Sequence, residues 1–131
     1  MDRIELGVRD SDGNGTAHLS FDEDGDACRV QLDYKSTILL GDGSDFFDAL
    51  CVVRQQLEER GGLLDCYGAS LNVFPSGMSR DMGRGLKAYK LTLGQRGRMQ
   101  DLVRIFDTGP DVQPATVAAQ REFFDGWLKS F

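Results

Sequence analysis

Asp10, Asp12, Asn14 and Gly15 fall at positions 1, 3, 5 and 6 of a candidate calcium loop, the offsets at which an EF-hand places three oxygen ligands and its turn glycine. Position 12, where a bidentate Glu should close the coordination sphere, is Phe21, and Asp22 and Glu23 come too late. The flanks RIELGV and TAHLSF alternate apolar and polar residues with the period of half-buried strands, and Asp-Gly and Asn-Gly reverse a chain between strands. The segment is therefore expected to be a hairpin, with no metal.

Other chemistry has few candidates. Cys28, Cys51 and Cys66 are an odd number without CxxC spacing, each among apolar neighbours, so buried free thiols are expected rather than a disulfide framework or a zinc knuckle. The one histidine, His18, sits on an expected strand and is the only imidazole available to a Cys or Ser nucleophile. In SGMSRDMGRG, residues 76–85, Gly77, Gly83 and Gly85 can expose backbone N–H groups, and Arg80 and Arg84 can fork onto a phosphate or carboxylate. No GxxxxGK[ST] or GxGxxG order accompanies them, and Asp81 can simply pair with a nearby arginine. The acidic turn DEDGD (Asp22, Glu23, Asp24 and Asp26) has the carboxylates a glycosidase or two-metal nuclease needs. Turn positions favour Asp in any case and water solvates such carboxylates cheaply, so no catalytic residue is assigned. No cofactor is implied.

Charge is polarised along the chain. Residues 1–50 hold twelve Asp and Glu against four Lys and Arg, net minus 8, and residues 51–131 hold nine against eleven, net plus 2. An acidic half steers basic partners, while the basic run from Arg80 to Arg104 steers anions. Tyr89 is the only aromatic well placed in that run and the pI is about 4.7, so nucleic acid is not an expected partner. No stretch offers a membrane span, and the start MDRIELGVRD lacks a secretory pattern, so the cytoplasm is the expected location.

These residues need positioning elements. A chain of 131 residues reads as a single α+β domain, 1–131. The two flanks and ACRVQLDY form an N-terminal antiparallel meander. GDGSDFFDALCVVRQQLEERGG is a helix capped by Asp42 or Ser44, with acidic groups in its first turn and Phe46, Phe47, Leu50, Cys51, Val53 and Leu57 in one stripe. LLDCYGASLNVF reads as one or two short strands, and residues 75–85 as an irregular loop. LKAYKLTLG and MQDLVRIF read as a strand pair, the second apolar on both faces and so a candidate central strand. Pro114 suits the first turn of a closing helix carrying Val117, Phe124, Trp127, Leu128 and Phe131. The expected fold is α+β, one antiparallel sheet of about six to seven strands with two helices packed on it.

The blocks DCYGASLNVFPSGMSRDMGRGLKAYKLTLG, DLVRIFDTG and PATVAAQREFFDGWL resemble small bacterial proteins of toxin neighbourhoods, over roughly residues 36–131. The resemblance implies the immunity proteins of bacterial polymorphic toxin systems, which are small, often acidic and cytosolic, and which bind and occlude one cognate toxin domain without catalysis. No family site transfers to named positions. On that reading Asp22, Glu23, Asp24 and Asp26 would steer the toxin, with Asp42 and Asp45 as further contacts and Arg80, Asp81, Met82 and Arg84 as an alternative contact surface. The other readings are a cytosolic ligand- or anion-binding module using loop 76–85 and, third, a small enzyme.

Overall fold

The computed structural model describes residues 3–131. Met1 and Asp2, part of the N-terminal stretch used to argue against a secretory signal, lie outside the described residues. The class is α+β, as expected, but the described residues form eight strands in two sheets rather than six or seven in one. Four consecutive strands, β1 (Arg3–Asp10), β2 (Gly13–Asp24), β3 (Ala27–Tyr34) and β4 (Thr37–Gly43), make the meander, and β5 (Leu63–Asp65) joins it beside β1, giving the order β4-β3-β2-β1-β5. β6 (Val73–Phe74), β7 (Lys87–Lys90) and β8 (Leu102–Arg104) form the second sheet in that order. One continuous core, from Leu6 and Leu19 through Leu50 to Ile105, joins both sheets.

Alternation dictates the large sheet. Ala17 and Leu19 of β2, Val30 and Leu32 of β3 and Leu39 of β4 are buried; the residues between them face outward, polar on β2 and β3 (His18, Gln31) but apolar on β4 (Ile38, Leu40). Helix α1 (Phe46–Glu59) covers the inner face, burying Phe47, Leu50, Val53 and Leu57. Its N-cap is Asp45, whose carboxylate accepts from the Asp48 N–H at 2.7 Å, and not Asp42 or Ser44. The difference arises because Gly41-Asp42-Gly43 belongs to β4, whereas Gly-Asp-Gly in sequence looks like a turn. A Cβ on Gly41 would lie 2.4 Å from the Ala49 carbonyl oxygen and one on Gly43 would lie 2.7 Å from the Ala49 nitrogen. These are glycines because the helix backbone rests on the strand.

The second half departs further from expectation. Residues 75–85 are not irregular: helix α2 (Gly77–Gly83) starts at an N-cap Ser76, whose hydroxyl accepts from Ser79 N–H. It buries none of its residues, so no apolar stripe announces it. The strand expected from LKAYKLTLG stops at Lys90, and MQDLVRIF forms only three strand residues. β8 is an edge and β7 is central, which corrects the expected order. Just beyond β8, Phe106 turns into the core and stacks on Phe21 at 4.5 Å. Helix α3 (Val117–Leu128) is capped by Thr116. Pro114 lies before it in a bridge with Ser70 and not in the first turn.

Candidate functional site

The calcium-like residues are where the first turn folds back on the third. Asp10 and Gly13 close the β1–β2 hairpin, and Phe21 points inward onto Phe46 and Phe106. The Tyr34 hydroxyl donates to Asp10, and Lys35 Nζ lies 3.0 Å from Asp10 and 3.3 Å from Asp12. The Tyr34 hydrogen bond, helped by Lys35, holds the Asp10 carboxyl below the usual aspartate range, and the same bond pushes the Tyr34 phenol up. Among the described residues no group of three or more His, Cys, Asp and Glu side chains converges as a metal site would require.

The cysteines are free. Cys28 and Cys66 are fully buried, and burial pushes the Cys66 thiol up to about 11, the direction opposite to that of a nucleophile. Burial also raises half-buried Cys51. His18 is exposed on the outer face, between Asp33 of β3 and Glu5 of β1.

The acidic residues of the β2–β3 turn gather loosely, spaced by arginines. The β2–β3 hairpin turns at Gly25-Asp26, with Gly25 at φ 64°, and cross-strand pairing places Asp22 beside Arg29 and Arg29 beside Asp42. Arg29 bridges Asp42 at 3.0 Å and Asp24 at 3.5 Å. All five of Asp22, Glu23, Asp24, Asp26 and Asp42 are exposed; Asp22, Asp24 and Asp42 lie about Arg29 on the outer face, Glu23 turns the other way toward Arg84, and Asp26 sits in the turn between them.

Arg84 is the clip that holds α2 to this turn. It caps α2 in the left-handed region at φ 56°, and its guanidinium donates to the Asp26 carbonyl and the Cys28 sulfur, both at 3.1 Å, with Glu23 at 3.8 Å. Its carbonyl accepts from the Phe46 N–H at 2.8 Å, one of the donors left free at the start of α1. Gly85 also has positive φ, and a Cβ there would meet the Asp45 carboxyl at 3.0 Å.

Arg80 and Asp45 are committed internally. Arg80 bridges Asp45 at 3.1 Å and Asp48 at 2.8 Å and lies over the rings of Phe47 and Phe74. Burial alone would lower its pKa, but the two carboxylates outweigh it and the net shift is upward. Asp81 and Met82 remain outside. Met82 is 82% exposed and Met78, one turn earlier, 72%.

Two features escaped the sequence reading. Arg54 is buried at the centre, donating to Gln120 Oε1 at 2.6 Å, the Ala115 carbonyl at 3.0 Å and the Gly68 carbonyl at 3.1 Å. Gln120 in turn donates to the carbonyls of Gly68, Ser70 and Val73. A signal was present: Arg54 falls four residues after Leu50 and three before Leu57, within the apolar stripe of α1. The other is an aromatic cleft between β7, the 91–97 loop and α3, lined by Phe74, Tyr89, Phe124 and Trp127. It draws on four separate segments, so no local pattern marks it.

Among the described residues no helix is long and apolar enough to cross a membrane. No protein-family model matches the chain, and no curated protein matches it significantly.

Proposed function

We propose that this protein acts by binding rather than by catalysis, as an immunity protein that occludes a basic toxin domain. The observation that supports this most is the acidic end of the large sheet, where Asp22, Asp24 and Asp42 surround Arg29 on paired strands and exposed Glu23 and Asp26 continue the charge around the β2–β3 turn. Charges fixed on a sheet hold their geometry, so their summed field accelerates the encounter of a basic surface and orients it. This end adjoins apolar contact area. Arg84 fastens α2 beside it, and α2 presents Met78 and Met82, adaptable side chains suited to covering a partner. In this reading Asp22, Glu23, Asp24, Asp26 and Asp42 steer, Asp81 and Met82 touch, and Asp45, Arg80 and Arg84 hold the surface in place.

The test is co-expression with the product of an adjacent larger gene. Relief of toxicity and a stoichiometric complex are expected. Changing Asp22, Glu23, Asp24 and Asp26 to their amides should slow association about tenfold at low salt, with the difference shrinking as salt rises. Full toxicity in the presence of the folded protein, or an association rate indifferent to those four changes, refutes the proposal.

A further inference from the structure

The large sheet ends on β4, and that edge is unlike the others. β5 and β8 have three residues each and β6 has two, whereas β4 runs for seven, Thr37–Gly43. A long edge carries a row of unpaired backbone donors and acceptors, which proteins blunt with lysine, proline or a bulge. β4 has none of these. Its register against β3 is continuous, and its one charged residue, Asp42, is paired with Arg29.

Register decides which backbone groups face outward. The Lys35-Ser36 turn, with φ 47° and 63°, closes on Tyr34 and Thr37 as a hydrogen-bonded pair. Thr37, Leu39, Gly41 and Gly43 therefore bond to β3, and the N–H and C=O groups of Ile38, Leu40 and Asp42 point off the sheet. The Leu40 carbonyl accordingly accepts from Gln56 Nε2 of α1 at 2.7 Å.

Side chains flank this row on both faces. Ile38 and Leu40 stand on the outer face, 61% and 52% exposed, and on the helix side partly exposed Val52 lies against Gly41, where an added Cβ would come within 3.1 Å of the valine Cβ. Charge is confined to one end, where Asp42, Asp24 and Asp22 gather about Arg29, three carboxylates to one guanidinium. Outward backbone groups in a row match only an extended chain, the aliphatic side chains match aliphatic residues at every second position, and the carboxylates match a cation. A second copy fits less well, because each protomer carries a net charge of -6.

We propose that β4 takes up an extended segment of a basic partner as a further strand, with alternate aliphatic residues against Ile38 and Leu40 and a lysine or arginine beside Asp42. The segment belongs to the toxin domain proposed above, so this rests on that reading. The incoming strand displaces the Gln56 amide from the Leu40 carbonyl.

The first probe is a short capped peptide of alternating valine and threonine with lysine at each end, titrated into the isotope-labelled protein. Saturable amide shifts should centre on Ile38, Leu40 and Asp42, with slowed hydrogen exchange at those three N–H groups. The glutamate-ended counterpart should bind at least about tenfold more weakly at low salt, and the lysine peptide methylated at every backbone nitrogen should not bind. Ile38→Lys/Leu40→Lys, at side chains already more than half exposed, should abolish peptide binding with thermal unfolding near wild type, and should weaken the toxin complex at least about tenfold. The proposal is overturned if the peptide does not saturate, if its shifts lie away from β4, if the methylated or glutamate-ended peptide binds equally well, or if the double variant neutralises the toxin as well as wild type. A dimer in sedimentation that the double variant dissolves overturns it in favour of a second copy. Peptide binding at β4 by a protein that leaves the toxin fully active supports the strand site and refutes the toxin reading instead.

Discussion

Replacing Gln120 by Leu tests the centre of the molecule. Arg54 is only 2% exposed and no carboxylate lies within ion-pair distance of it among the described residues. Burial pushes its pKa below the usual arginine value. Its charge is satisfied by Gln120 Oε1 and the carbonyls of Gly68 and Ala115, with Cys51 Sγ at the limit of contact at 4.0 Å. Leucine removes the shortest of these, a charge-assisted bond worth about 1.5–3 kcal/mol. It also strips donors from the Gly68, Ser70 and Val73 carbonyls. Gly68 retains Arg54 and Ser70 retains the Val73 N–H, so this adds only about 1 kcal/mol. The expected loss is thus about 3 kcal/mol. At a urea slope of about 2 kcal/mol/M the midpoint falls by roughly 1.5 M, read by Trp127 fluorescence and circular dichroism together. Arg54→Met removes the buried charge with its costs and should lose less than Gln120→Leu. In the double variant the two effects should fall short of additivity by about 1–2 kcal/mol. A loss below about 1 kcal/mol for Gln120→Leu, or additivity within about 0.5 kcal/mol, would show that the network does not hold the charge as described.

Other outcomes are as specific. Lys35 and Ser36 form the β3–β4 turn with φ 47° and 63°, so Ser36→Gly should stabilise by about 0.5–1 kcal/mol in thermal or urea unfolding. Gly41→Ala forces a Cβ into the Ala49 carbonyl and should cost about 2–4 kcal/mol, whereas Gly77→Ala, with nothing within 4 Å, should be neutral or mildly stabilising. Because Asp10 titrates below its ordinary value of 3.8, its ionised form stabilises the fold above that pH, and the contribution is lost as pH falls through the lowered folded value. Asp10→Asn should therefore be less stable than wild type at neutral pH, with the gap closing in acid. A gap that widens below pH 4 contradicts the Tyr34–Asp10–Lys35 arrangement.

Much of the N-terminal half is legible because its determinants are local. The alternation in TAHLSF and ACRVQLDY specifies which side of each strand is buried, and the turns after Asp10 and Asp24 are marked by their Asp-Gly dipeptides. The α1 stripe is visible as well. β4 was hidden by its own packing, since Gly41 and Gly43 lack side chains to admit α1 and so resemble a turn. α2 was hidden because a helix that buries nothing carries no periodicity. The candidate site divides in the same way. That acidic residues crowd residues 22–26 is plain from the sequence, but that Asp42 joins them follows from the β3–β4 register, and that Asp45 and Arg80 turn inward follows from the start of α1.

What the sequence alone determined was the set of features that depend on neighbours within a few positions: the α+β class, the meander, the face of α1 and the acidic first half. The tertiary structure decided the division into two sheets, the central position of β7, the Arg54–Gln120 brace and the aromatic cleft. Each of these depends on contacts between residues tens of positions apart. Their energies arise only when burial removes water from both partners at once, and no local pattern encodes which distant partner that will be.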